Sequence, residues 1–137
     1  MASYERCNHE KFKMHYHIIF STKYRKKLLG SIIDDVKASM KRAEAMQDKW
    51  SIEVMEIDVQ KYDHIHFLIR AIPTCQISEI IHKLKQVSTY DMWQKHNQYL
   101  SKFYWSGKHY LWTRGYFVTT VGNVNEKTLQ AYIKNQG

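Results

Sequence analysis

Apolar and polar positions along this chain change period several times, and each change marks an element. From Met14 to Lys23 the run MHYHIIFSTK is rich in β-branched and aromatic residues and reads as a strand. Leu29, Ile32, Ile33, Val36, Met40, Ala43 and Met46 then recur at three- and four-residue intervals, the stripe of a long amphipathic helix. Ser51 to Val59 alternates as a second strand. A polar turn at Gln60 to Asp63 leads into a third, His64 to Ala71, so the two predict an antiparallel hairpin. Pro73 closes it, because the residue before a proline resists the helical region.

A second helical stripe, Ile77, Ile80, Ile81, Leu84 and Val87, continues towards Trp93. Ser101 to Arg114 mixes basic and aromatic residues and reads as a loop with a short irregular element. Gly115 to Val121 (GYFVTTV) is the fourth strand. Gly122 breaks it, and Asn123 with Glu126 three residues later offers a capping-box-like start to a terminal helix. The order βαββαβα predicts an α+β fold: a ferredoxin-like βαββαβ antiparallel sheet with helices on one face, plus a C-terminal helix. With 137 residues and no repeat, low-complexity stretch or linker, the expectation is a single domain over 1–137.

Composition narrows the partner. A formal charge of +8 argues for a polyanion, since each phosphate paired with Lys or Arg releases condensed counterions. A membrane surface is the other polyanion. No apolar run approaches a membrane span, and the start MASYERCNHEKFK carries no signal-peptide pattern, so the expectation is a soluble cytoplasmic protein. Cys7 and Cys75 form neither a CxxC pair nor a zinc spacing and read as free thiols. Aromatic residues make up 14% of the chain; interleaved with basic ones they suit stacking on single strands, although most belong to the core. Lys23, Arg25 and Lys26 after the first strand, and Lys83 and Lys85 on the second helix, are candidate phosphate contacts; a merely solvated face is the plainer reading of each.

Two features carry chemistry. In HIHFLIR, His64 and His66 lie on the same face of a strand, about 7 Å apart along the backbone, while Ile65, Phe67 and Ile69 face the other way into the core. Two imidazoles so placed can converge on one metal ion, though His-x-His alone is unspecific. In NEKTLQAYIKNQ, Tyr132 and Gln136 stand one helical turn apart. Tyr132 either packs at the edge of the core or offers a nucleophilic oxygen; Gln136 offers a carbonyl oxygen to a hard cation.

Taken together, the strand DHIHFLI, the segment YIKNQ, the stretch YHIIFSTKYRKKLL and the stretch LWTRGYFVTTVG resemble the small single-tyrosine HUH transposases (TnpA, IS200-like) of bacterial and archaeal insertion sequences. The resemblance runs from about Tyr16 to Gln136 in order and spacing. It implies His64, His66 and Gln136 as ligands of a divalent ion, Mg²⁺ or Mn²⁺, and Tyr132 as the nucleophile. It further implies single-stranded DNA with hairpins at element ends as substrate, a 5′-phosphotyrosine intermediate, and a homodimer. Two other readings stay open: a domesticated HUH nuclease acting on repetitive palindromes, and a non-catalytic nucleic-acid-binding module of the ferredoxin-like type.

Overall fold

The computed structural model describes residues 14–105 and 107–122. Its elements run β1 (Met14–Ser21), α1 (Ile33–Ala45), β2 (Trp50–Ile57), β3 (His64–Ala71), α2 (Ile77–Lys95), the single turn α3 (Asn97–Leu100) and β4 (Phe117–Val121). The predicted order of four strands and two long helices is therefore present. The predicted terminal helix, with Tyr132 and Gln136, lies outside the described residues.

The four strands form one antiparallel sheet in the order β2-β3-β1-β4. Ile18 and Phe20 of β1 and Ile65, Phe67 and Ile69 of β3 are buried on one face. Val36, Met40 and Ala43 of α1 and Ile80, Leu84 and Val87 of α2 join them in one apolar cluster. These are the residues that the two periodicities, 2 and 3.6, select. In β2 the register shifts between Ile52 and Val54, which leaves Glu53 as a bulge. An odd spacing would send Ile52 and Ile57 to opposite faces; the extra residue lets both be buried in the same cluster.

Several boundaries differ from the sequence expectation. β1 ends at Ser21 rather than Lys23, because Thr22 is fully buried and pairs with Trp112 instead. The helical stripe expected from Leu29 opens as a 3-10 turn over Leu29–Ile32 and becomes α1 only at Ile33. At that turn the Leu29 amide donates to the Tyr62 carbonyl at 3.0 Å. Gly30 lies against the Tyr62 ring, where a Cβ would come within 3.2 Å. The missing side chain is what lets the β2–β3 turn seat there.

Residues 99–105 and 107–115 are tied as a strap to the exit of β1. The Lys23 amide donates to the Leu111 carbonyl at 2.9 Å and the Thr113 amide to Ser21 at 2.8 Å. The hydroxyls of Tyr99 and Tyr104 donate to the carbonyls of Leu28 and Lys23. From α2, the Lys85 ammonium donates to the carbonyls of Thr113, Arg114 and Gly115 at 2.8, 2.9 and 3.1 Å. β4 consequently starts at Phe117, two residues later than expected: the carbonyls before it are turned to Lys85.

Candidate active site

β3 delivers both histidines. His64 stands opposite Ser21 and His66 opposite Ile19 in the β1–β3 register. Their rings converge, with centroids 4.8 Å apart. His17, opposite Leu68 and hence diagonal to His66, stacks on His66 at 5.5 Å and 7°. Phe117 of β4 meets His17 edge-on at 6.3 Å. The pattern HIHFLIR suggests a strand with one open face, yet His66 is only 7% exposed and Leu68 only 1%. β3 is buried on both faces.

Each histidine has a partner on its Nδ1. His64 Nδ1 lies 2.8 Å from Asp63 Oδ1, and the Arg25 Nε donates to Asp63 Oδ2 at 3.1 Å. Burial pushes the Asp63 carboxyl up, but the hydrogen bonds from His64 and Arg25 and the Arg25 charge outweigh it and hold it below its ordinary range. An ionised carboxylate only accepts, so His64 Nδ1 donates to Asp63 and Nε2 is the ring nitrogen left to face a ligand. His66 Nδ1 lies 3.3 Å from His17 Nε2. In the tautomer in which His66 Nδ1 donates there, its Nε2 offers a lone pair. Among the described residues that Nε2 is buried with no hydrogen-bond partner. An orphaned buried polar atom costs about 1–3 kcal/mol, and an electrophile at that point would remove the cost.

Local backbone holds this arrangement. The Asp58 amide donates to the His64 carbonyl, the Tyr62 amide to the Asp58 carbonyl, and the Lys61 amide to Asp58 Oδ2 at 2.7 Å. Asp58, Asp63 and His64 thereby bring ligand atoms within 4.8 Å of one another, a group able to hold a metal ion. Both oxygens of Asp63 already have partners, Arg25 and His64, so within this group its part is to anchor His64, and Asp58 and His64 are the members with a ligand atom to offer. Tyr24 and Arg25 both hold left-handed backbone, φ 61° and 53°, which costs about 1–2 kcal/mol per non-glycine residue. The turn they make carries Arg25 to Asp63.

Burial first, then the neighbouring His64 and His17, lower the His66 pKa from 6.5 to about 4. Burial lowers His17 as well. Both imidazoles are thus held neutral, the form that ligates metal. The sign follows for stability. As pH falls below 6.5 the unfolded chain takes up protons that the folded chain refuses, so stability declines between pH 6.5 and 4, by up to roughly 3 kcal/mol from His66. Urea unfolding of the metal-free protein across that window is expected to show the decline, and His66→Gln to flatten it; parallel profiles for the two proteins would refute the assignment.

The remaining predicted site residues are scattered. Lys23 and Lys26 flank the strained turn and are half-buried, and Arg25 is 60% exposed at its side chain while paired to Asp63. Lys83 is half-buried on α2, and Lys85 spends its protons on the three carbonyls of the strap. Tyr132 and Gln136 lie outside the described residues. A 760 Å³ groove runs along α2 past His82, Trp93, His109 and Tyr116, and none of its walls belongs to the histidine cluster. Sequence reasoning missed Asp58, Asp63 and His17. A signal existed for two of them: Asp63 directly precedes His64, and His15-Tyr16-His17 is a second His-x-His.

Known proteins share this sequence pattern and fold. A family model described as "Transposase IS200 like" matches residues 10–136. The chain is 30% identical over 126 residues to the ISDra2 transposase TnpA of Deinococcus radiodurans, covering 91% of this chain and 85% of that protein. It is 30% identical over 129 residues to the transposase for insertion sequence element IS200 of Salmonella typhimurium, covering 93% and 80%. A crystal structure of a transposase candidate from Deinococcus radiodurans superposes with a TM-score of 0.67 at 30% identity, over 91% of this chain and 92% of that one. A REP-associated tyrosine transposase bound to a REP hairpin shares the fold at a TM-score of 0.60 and 11% identity, over 88% of this chain and 62% of that one. With a family match over nearly the whole length and relatives at 30% identity, the chain belongs to the IS200-like transposase family.

Proposed function

We propose that this chain, acting as one domain over 1–137 and as a cytoplasmic homodimer, cuts and rejoins single-stranded DNA at insertion-sequence ends, with Tyr132 as nucleophile. The observation that carries the reading is the histidine pair: two imidazole rings converge, the Nδ1 of each lies beside a partner, and among the described residues the Nε2 of His66 is buried without one. Imidazole nitrogens so placed fit a divalent ion, with Gln136 as a third, neutral oxygen donor. When bound, Mg²⁺ or Mn²⁺ supplies charge that polarises a non-bridging phosphate oxygen.

The chain's own groups do the rest. Tyr132 loses its phenolic proton to solvent and its oxygen bonds to phosphorus; the bond from phosphorus to the 3′-oxygen breaks, and that oxygen takes up a proton. The products are a 5′-phosphotyrosine and a free 3′-OH. A second 3′-OH reverses the attack and joins new ends without a nucleotide cofactor, since the phosphotyrosine keeps the phosphodiester energy. Lys23, Lys26 and Lys83 are the candidate phosphate contacts, while the internal bonds of Lys85 speak for a structural part. A neighbour of the same fold is bound to a REP hairpin, which supports hairpin DNA as the partner.

Incubation of the purified chain with labelled single-stranded DNA from the flanks of its gene, with Mn²⁺ or Mg²⁺, tests this. The expected result is an SDS-resistant adduct whose DNA-linked peptide contains Tyr132. Tight, salt-sensitive binding with no adduct on several hairpin-bearing strands would instead establish a non-catalytic binding module. Asp63→Asn is expected to lower Mn²⁺ affinity by about 10–100-fold, the usual effect of losing a ligand's hydrogen-bonding partner. Isothermal titration on a variant with unchanged circular dichroism measures it, and an unaltered affinity would remove Asp63 from the site.

A further inference from the structure

Tyr24 and Arg25 are consecutive non-glycine residues in left-handed backbone. Such strain persists only where the surroundings over-determine it, and it gathers at binding sites. Here the turn sends Arg25 to Asp63 and leaves the Tyr24 ring 62% exposed. Around that ring stand Tyr104, Trp105, Lys108 and Tyr110, enclosing a cavity of about 230 Å³.

The cavity has a fixed floor and open rims. Tyr104 is buried, and its hydroxyl donates to the Lys23 carbonyl at 2.8 Å. Tyr110 meets Tyr24 edge-on at 6.2 Å, and Trp105 is 71% exposed. The Lys23 ammonium lies 5.3 Å from the Tyr24 ring centroid and 5.0 Å from that of Tyr110. Exposed aromatic faces with ammonium groups beside them are the chemistry that holds unpaired bases and their phosphates. The volume is below the roughly 300–1,000 Å³ of sites for drug-sized ligands and suits one base. Contact continues from the cradle to the histidines: Tyr24 is bonded to Arg25, Arg25 pairs with Asp63, and Asp63 with His64.

We propose that Tyr24, Trp105 and Tyr110 form a stacking site for one unpaired nucleobase of the single strand engaged at His64 and His66, with Lys23 and Lys108 facing its phosphates. This rests on the single-strand reading above. Stacking of this kind reads no base edge, so the site selects unpaired over paired DNA rather than one base over another.

The test uses the full chain carrying Tyr132→Phe, without metal, so that binding is measured with no cleavage. Fluorescence anisotropy reports affinity for a single strand from the gene's flank and for a set in which each nucleotide in turn is abasic. Tyr24→Asn removes the ring yet tolerates left-handed backbone; Tyr24→Phe keeps the ring. Tyr24→Asn is expected to weaken binding about tenfold and Tyr24→Phe by less than about twofold. One abasic position should weaken the parent by a similar factor and the Tyr24→Asn protein hardly at all. Trp105→Ala leaves the strained turn untouched and should reproduce that position-specific loss. Affinity of Tyr24→Asn within about twofold of the parent, or abasic losses equal in both proteins at every position, overturns the site. The adduct at Tyr132 is read separately: an adduct without the coupling overturns the stacking site alone, and the coupling without an adduct overturns the transferase reading alone.

Discussion

Tyr132→Phe is expected to abolish the covalent DNA adduct while leaving affinity for the uncut strand within about twofold. The substitution removes one oxygen and little volume, so only the nucleophile is lost. Removal of a nucleophile from a working site lowers turnover by on the order of 10⁴-fold or more. In a gel assay that is disappearance. Residual adduct at more than about a hundredth of the parent level would mean that another side chain attacks phosphorus. The chain has ten tyrosines, and Tyr24 is among the exposed ones, so peptide mapping of any residual adduct names the substitute.

His66→Gln is expected to lower Mn²⁺ affinity by more than about 100-fold, beyond the 10–100-fold typical of losing a ligand's hydrogen-bonding partner. Glutamine fills most of the imidazole's volume and keeps a polar group near His17, which limits the cavity cost in a residue only 7% exposed. What it removes is the buried Nε2 nitrogen. Adduct formation should fall with the metal. Titration calorimetry of the two proteins, matched by circular dichroism, reads the difference. Retained affinity in His66→Gln together with its loss in Asp58→Asn would move the ion to the neighbouring group of Asp58, Asp63 and His64.

The same residues separate what could be read along the chain from what could not. Period and punctuation were enough for the elements, because each face of a strand or helix leaves a local mark: Ile65, Phe67 and Ile69 are core, as their alternation with the histidines required. Boundaries slipped where a distant group intervened. Lys85 claims the carbonyls of Thr113 to Gly115, and Trp112 claims Thr22, and neither contact leaves a trace in local periodicity.

For the site, His-x-His on a strand is a local pattern and was legible, as was the family resemblance that assigns it a task. The groups that make the pair usable were not. His17 becomes the neighbour of His66 only through the β1–β3 register, and a slip of one residue would turn it to the core. Arg25 reaches Asp63 only because two residues accept left-handed backbone. The burial of His66, which keeps it neutral, comes from its position on an inner strand. The sequence by itself determined the order of the described elements, the paired histidines and the family; tertiary structure decided burial, hydrogen-bond partners and neighbours, because these depend on groups far apart along the chain and close only after folding.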